Sequence, residues 1–381
     1  MFGPYSAKIV NGQKIIEYLG NKVSEKKDNI SVESFDEKIL DNRVDDLINK
    51  KRYYHLHKID NAIFFSATEY FKEIGAEWCN LPLTTLMISS PGEVYRGKTL
   101  DYTTETLPVD ISWFNNRKIF LSESSQFYLE LRLLLNNIDK VFSIYNSFRK
   151  ERADFCHLSE FQHIEFEGHI SFQENIDIFL GLLKHIIKHI LKKNRDDLLY
   201  FLADKEIESL DKTFDSKNIL SITFKEALDI LFKETKDPLY KKFSMKNFGA
   251  WEEIKLTEIS KKHVLVKEFP SSQIPFYHNI SPQKEGGIEV AENADLILYR
   301  YREVIGSGVR ISDPKLLSEK AKIFNLPMND YLPYLKMRTF NNYKPTAGFG
   351  LGWQRYTHWL LKLPYIWEAS HVPRGHHLPR P

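Results

Sequence analysis

Cysteine is scarce in this chain of 381 residues; only Cys79 and Cys156 occur, far apart. Two isolated thiols supply neither a zinc-ligand pattern nor a disulfide framework, and a reducing cytoplasm suits them best. Excess charge is lacking as well. Lysine and arginine total 53 against 51 acids, for a net charge of +2, which removes the broad basic footprint of a nucleic-acid binder and leaves room only for a local patch. No run approaches about 18 uninterrupted apolar residues, so a membrane span is not expected. The opening MFGPYSAKIVNGQKIIEYLG has no basic stretch followed by a long apolar block, as a signal peptide would. Internal repeats and low-complexity tracts are also missing. What is present is aromatic, 13% of residues within 42% hydrophobic, enough to fill a thick core in one large domain or two ordinary ones.

Residues 1–52 are polar, with clusters such as SEKKD and DEKILDNRVDD, and read as a short helical or partly ordered extension. A helix is expected over Asn61–Ile74, then a strand around Trp78–Met87. Segment Arg117–Leu121 reads as a strand and Gln126–Asn136 as a buried helix. Val141–Phe148 and Phe161–Phe166 read as an antiparallel hairpin whose charged tip runs from Lys150 to Ser159. Residues 173–202 form the clearest helix, with acids at its start and lysines in its later turns. Residues 203–260 read as a helical insertion. Val264–Val266 and Ala294–Tyr299 are strand-like, Leu316–Phe324 is helical, and Gly348–Leu361 is a glycine-rich strand end entering a helix.

Three constellations carry chemistry. The first is Phe148-Arg149-Lys150-Glu151, then His157-Leu158-Ser159-Glu160-Phe161, then Glu165 and Glu167. Strand period two puts His163, Glu165 and Glu167 on one face, and Arg149 on a face with Tyr145 and Ser147. Whether the two faces coincide depends on the pairing register. An arginine beside carboxylates suits an amino-acid zwitterion next to a phosphate; a surface ladder of cross-strand charge pairs would give the same pattern. The second is Gly348-Phe349-Gly350-Leu351-Gly352-Trp353-Gln354-Arg355. Its alternating glycines strip one strand face, so that a flat ligand such as adenine could approach the backbone; a glycine-lined packing contact is the plainer account. The third is Asp295 with Glu303-Val304-Ile305-Gly306-Ser307-Gly308-Val309-Arg310, where carboxylates near a tight turn suit Mg²⁺ or simply a structural salt bridge. His185 and His189, four apart among lysines, read as a solvated basic face rather than a metal pair, and Arg152 and Asp154 as residues that keep the loop soluble.

Taken in order, these segments resemble the catalytic core of class II aminoacyl-tRNA synthetases of the aspartyl/asparaginyl subgroup, over roughly residues 55–381. Phe148-Arg149-x-Glu151 with His157-Leu158-x-Glu160-Phe161 resembles motif 2, and Gly348-Phe349-Gly350-Leu351-Gly352-x-x-Arg355 resembles motif 3. Glu303-Val304-Ile305-Gly306-x-x-x-Arg310, Ser122-x-Ser124-Ser125-Gln126 and Phe269-Pro270…Pro275-Phe276-Tyr277 resemble further landmarks of the subgroup. The resemblance implies an α+β fold, an antiparallel sheet flanked by helices, with residues 53–381 as the catalytic domain. It implies that Arg149 binds the ATP α-phosphate and the substrate carboxylate, that Glu151 contacts adenine, and that Arg355 clamps the γ-phosphate. His157, Glu303, Gly350 and Gly352 complete the ATP site, and Asp295 and Glu303 hold Mg²⁺. Gln126 and Glu165 hold the substrate ammonium and Arg310 reads its side chain. Pro82 is the candidate motif 1 proline of a homodimer.

Departures from the pattern shape the functional expectation. The residues before 53 do not read as an anticodon-binding β-barrel, so the chain resembles free-standing asparagine-synthetase-like relatives. Cys156 stands where an arginine usually precedes the histidine. Leu129 stands where aspartyl enzymes carry a lysine, which leans asparaginyl. Ser307 and Gly308 reverse the usual Gly-Ser order. The expectation is activation of asparagine, aspartate or a close analogue as an adenylate, with acyl transfer to ammonia or another small acceptor. Transfer to tRNA is the second reading, and a non-catalytic regulator the third, disfavoured by the retained arginines.

Overall fold

The structure, a computed structural model, describes residues 4–25, 30–31, 41–90, 108–112, 119–150 and 154–375. Among the described residues of the N-terminal extension read as helical or partly ordered, only Arg43–Asn49 and the start of the next helix at Lys51 are helical; the stretch before them is not. It forms an antiparallel sheet of β1 (Tyr5–Val10), β2 (Gln13–Tyr18), β3 (Asn21–Glu25) and β4 (Ile30–Ser31). A signal for this stood in the sequence. Val10 pairs with Gln13 across Asn11-Gly12, both at positive φ, 51° and 79°, the two-residue turn whose twist matches paired strands. The surrounding charges masked the burial of Tyr5, Ala7, Ile16 and Val23.

The chain continues through α1 (Arg43–Asn49) and α2 (Lys51–Glu73), then β5 (Glu77–Trp78), β6 (Thr84–Thr85), β7 (Asp110–Ile111), β8 (Ile119–Leu121) and α3 (Gln126–Arg132). The single strand expected over Trp78–Met87 is split into β5 and β6 around Pro82, which has no N–H to give a ladder. The expected hairpin is β9 (Lys140–Phe148) and β10 (Glu160–Gly168). α4 (Phe172–Lys193) is capped by Ser171 and Glu174 and ends at Asn194, before a separate α5 (Arg195–Leu199). Residues 203–260 supply α6 (Asp204–Leu210), α7 (Phe224–Thr235) and α8 (Ala250–Ser260), but also a strand, β11 (Ile219–Thr223), which pairs in parallel with β12 (His263–Lys267). The stretch read as a helical insertion thus also extends the main sheet. β13 (Ile280–Glu285), β14 (Ile288–Ala291), β15 (Asn293–Ile297), β16 (Glu303–Val309), α9 (Pro314–Ile323), α10 (Met328–Lys336), β17 (Ala347–Gly352) and α11 (Trp353–Leu360) complete the chain.

The main sheet has eight strands in the order β11-β12-β15-β16-β17-β10-β9-β5. Its central pairings are antiparallel, and β11 and β5 join the two margins in parallel. This is the antiparallel α+β architecture expected. Alternation gives its two faces opposite characters. On one, Phe142, Phe166 and Phe349 meet Phe71 of α2 at ring separations of 4.5, 5.8 and 6.5 Å, and Phe179 of α4 lies 5.7 Å from Phe349. The helices α2 and α4 therefore bury that face, and Glu69 of α2 also meets His185 and His189 of α4, each at 3.5 Å. Those histidines face an acid on the neighbouring helix rather than a solvated basic face. Among the described residues, no helix is long and apolar enough to cross a membrane.

Phe71 is fully buried at the centre of this layer. Phe71→Ala is expected to destabilise the protein by about 3–5 kcal/mol, read as a lowered urea midpoint. A loss below about 1 kcal/mol would show that the aromatic layer does not hold the sheet to its helices.

Candidate functional site

The opposite face of the sheet carries the site, and the strand register builds its floor. Asp295, Gly306, Gly350, Glu165 and Ser143 lie in one row across five strands; Asn293, Gly308, Gly348, Glu167 and Val141 lie in the next. Because His163 pairs with Tyr145, the polar faces of β9 and β10 coincide, which spacing alone left open. The glycines of β17 do not all serve a ligand. A Cβ at Gly348 would collide with Glu167 Oε2 and the Phe166 carbonyl, so that glycine makes room for a neighbouring acid. Gly350 and Gly352 do face a cavity.

Two adjoining cavities share Arg149, His163, Glu303 and Gly350. One, of about 120 Å³, is also lined by Cys156, His157, Phe161, Gly352 and Arg355. The other, of about 220 Å³, is lined by Gln126, Glu165, Asp295, Gly306 and Arg310. Every sequence-predicted site residue within the described residues therefore faces this joined cleft. Glu151 lies outside the described residues. Arg149 and Arg355, from distant stretches of chain, face the same cavity. The Arg149 guanidinium lies 5.3 Å from the centre of the Phe161 ring, and Arg355 donates to the Glu303 carbonyl at 3.1 Å.

Local irregularity aims one of the acids. Between Leu296 and Ile297 the β15–β16 register slips by one residue, since Leu296 faces Ile305 while Ile297 faces Glu303. Such a bulge re-aims a side chain; without it, alternation would turn Glu303 away from the face of Gly306. With it, a Cβ at Gly306 would lie 3.2 Å from Glu303 Oε1 and 3.7 Å from Asp295 Oδ1, so two carboxylate oxygens converge over bare backbone. Burial, and then the charges of Glu303 and Glu253, push the Asp295 carboxyl well above its ordinary value.

At the other end, Glu165 accepts Ser124 Oγ at 2.7 Å and the Ser125 N–H at 3.2 Å, and it also accepts the Tyr145 hydroxyl. Burial raises its carboxyl against these bonds. Gln126 Oε1 accepts the Tyr277 hydroxyl at 3.4 Å. Arg310 and Glu167, 1% and 0% exposed, form a two-pronged pair, Nε to Oε1 at 3.0 Å and Nη2 to Oε2 at 2.8 Å. His157 meets Asp154 Oδ1 at 2.9 Å, and the same oxygen accepts the Cys156 N–H at 2.8 Å. Asp154 is thus tied into the loop rather than serving solubility.

Sequence reasoning passed over several contributors. His163 stood on the predicted face yet was not singled out; it meets Ser147 Oγ at 2.8 Å, and burial, Arg149 and Arg355 drive its pKa well below the ordinary value. Glu253 of α8 left no local signal. Its carboxylate takes Arg302 Nε and the Glu303 N–H, both at 2.8 Å, while Arg302 Nη1 reaches Cys156 Sγ at 3.0 Å. A helix of the presumed insertion thereby steadies both Glu303 and the loop that bears His157.

The cleft thus gathers three guanidinium groups, Arg149, Arg310 and Arg355, with the converging carboxylates of Asp295 and Glu303 on one face of the sheet. Comparison with known proteins identifies the family. The family model described as tRNA synthetases class II (D, K and N) matches residues 36–376. The asparagine–tRNA ligase of Thermoplasma acidophilum is 30% identical over 347 residues, 91% of this chain and 74% of the relative. That of Thermus thermophilus is 28% identical over 339 residues, 88% of this chain and 72% of the relative. Asparaginyl-tRNA synthetase from Pyrococcus horikoshii complexed with asparaginyl-adenylate superposes with a TM-score of 0.77 at 23% identity, covering 96% of this chain and 78% of that one. The chain belongs to the class II tRNA synthetase family (D, K and N), and is an ATP-dependent ligase of the kind that forms an aminoacyl-adenylate.

Gly348→Ala is expected to drive the new methyl group into Glu167 and lower stability by about 1–3 kcal/mol, with loss of the Arg310 pairing. Differential scanning calorimetry reads the shift; an unchanged Tm would show that β17 and β10 are not this close.

Proposed function

We propose that the chain activates asparagine with ATP and passes the asparaginyl group to tRNA. The observation that carries the choice of amino acid is the buried Arg310–Glu167 pair, whose arginine lines the cleft. A guanidinium donates and a carboxylate accepts, so together they complement a carboxamide, whose oxygen accepts and whose nitrogen donates. An aspartate side chain would set a second carboxylate against Glu167. Leu129 is buried and apolar, consistent with the absence of a lysine for an aspartate. Transfer to ammonia, the acceptor first expected, draws no support from the asparagine–tRNA ligases among its relatives, and tRNA becomes the favoured acceptor.

In this reading the asparagine carboxylate attacks the α-phosphorus of ATP, the bond to pyrophosphate breaks, and asparaginyl-adenylate forms. A hydroxyl of the acceptor then attacks the acyl carbon and AMP leaves. The attacking carboxylate is already ionised at neutral pH, so the first step asks for alignment and charge neutralisation rather than a base. Arg149 neutralises the α-phosphate and orients the carboxylate; Arg355 and His157 hold the rest of the triphosphate. Gln126 and Glu165 hold the ammonium. The oxygens of Asp295 and Glu303 that converge over Gly306 fit the hard-ligand preference of Mg²⁺. When bound, Mg²⁺ would neutralise phosphate charge.

Asparagine-dependent ATP–pyrophosphate exchange is the decisive assay. Arg149→Ala is expected to reduce exchange at least about a hundredfold; retained exchange would refute the assignment. Transfer of labelled asparagine to tRNA then tests the acceptor. Asp295 must lose its proton to hold Mg²⁺, and its folded pKa is raised. Half-saturating Mg²⁺ is therefore expected to fall as pH rises through that pKa; Mg²⁺ dependence unchanged with pH would remove Asp295 from the metal site.

A further inference from the structure

The tip of the β9–β10 hairpin gathers side chains that the reaction above uses only in part. Among the described residues, Asp154, Cys156 and His157 each bring one potential metal-ligand atom to within 4.8 Å of the others. The turn itself sets them there. Asp154 and His157 exchange backbone hydrogen bonds in an isolated antiparallel bridge, each with N···O at 3.4 Å, and Asp154 Oδ1 accepts the Cys156 N–H at 2.8 Å. Ligand atoms so close in sequence leave little chain to order when an ion binds.

The spacing suits a tetrahedral ion of the zinc type. Bonds of about 2.0, 2.1 and 2.3 Å to nitrogen, oxygen and sulfur place N and S about 3.5 Å apart, and N and O about 3.4 Å apart. His157 Nδ1 lies 3.5 Å from Cys156 Sγ and 2.9 Å from Asp154 Oδ1. The first distance already matches. The second is a hydrogen-bond length, and it opens by about half an ångström when an ion replaces the shared proton. The cluster is within reach of solvent, since the Asp154 and His157 side chains are 29% and 25% exposed. Cys156 and His157 also line the cavity of the nucleotide arm, from which a water can fill the fourth position. The sulfur has an outer partner as well. Arg302 Nη1 donates to Sγ at 3.0 Å while Glu253 takes the rest of the same guanidinium, an arrangement of the kind that orients a metal ligand. Glu253 offsets the charge of Arg302, so a cation does not meet an unbalanced guanidinium.

We propose that Asp154, Cys156 and His157 form a binding site for a thiophilic divalent cation of the zinc class. Sulfur and imidazole nitrogen favour Zn²⁺ over Mg²⁺, which prefers oxygen, so the site is chemically separate from the carboxylate pair over Gly306. It needs a single thiol, and therefore no cysteine framework marks it in the sequence. Coordination releases the thiol proton to solvent and leaves sulfur bound as thiolate, and the imidazole binds through Nδ1 with its proton on Nε2. The ion ties the three residues into one unit at the hairpin tip, beside the cavity that Arg149 and Arg355 share. Nothing in this depends on which amino acid is activated.

Cobalt(II) is the probe, because it occupies zinc sites and its bond to thiolate absorbs in the near ultraviolet. Titration of the metal-free full chain is expected to raise that band to an end point of one Co²⁺ per chain. Zn²⁺ should abolish the band and excess Mg²⁺ should not. Cys156→Ser, which keeps an acceptor for Arg302, is expected to remove it, and Asp154→Asn to weaken Co²⁺ binding at least about tenfold. No band, a band that survives Cys156→Ser, or an affinity unmoved by Asp154→Asn overturns the proposal. Should Cys156→Ser fail to fold, Cys79→Ala decides, since it leaves Cys156 as the only thiol. The band retained there supports the site, and its loss from the folded variant overturns it.

Discussion

The register of β10 against β17 and β9 is the constraint on which the rest of the molecule depends. Side chains alternate across a sheet, so the pairing that sends Phe166, Phe349 and Phe142 toward α2 also sends Glu165 and His163 into the cleft and Glu167 to the same face beneath Arg310. A slip of one residue would bury the acids under the helices and expose the aromatic rings. Core and site are two faces of one decision, and the hydrophobic layer enforces the placement of polar groups that could not hold that place by themselves.

Placing charge on such a face raises an electrostatic problem, answered differently at each end of the cleft. Around Glu167 the answer is internal. Arg310 neutralises Glu167, and behind it Arg338 meets Glu130 at 2.7 Å with both side chains 0% exposed. Removing one member of such a pair is far more damaging than its net worth suggests, because the other charge stays buried. Beside Gly306 the answer is shared. Asp295 and Glu303 converge there, Arg355 Nη1 lies 4.0 Å from Glu303 Oε2, and Arg302 is engaged by Glu253.

Glycine carries a second theme. In the floor of the cleft, Gly348 admits Glu167 and Gly308 admits His278, while Gly350 and Gly352 border open space. One residue type in one short pattern therefore does two jobs, accommodating protein side chains and exposing backbone to a ligand. The spacing is identical for both, and the difference lies in what each facing strand or loop brings.

The sequence by itself determined the motif strands and the shared face of His163, Glu165 and Glu167, because strand periodicity and ordered motifs are local properties; it pointed to the grouping of Arg149, Arg310 and Arg355 only through the family resemblance. It also held the Asn11-Gly12 hairpin, hidden behind flanking charge. Tertiary structure alone decided that β11 extends the main sheet, that a bulge turns Glu303 inward, that Glu253 reaches across from α8, and that His278 occupies the space over Gly308. Each of these is a pairing between residues far apart in the chain, fixed by which strand lies beside which and in what register, and no local pattern encodes that choice.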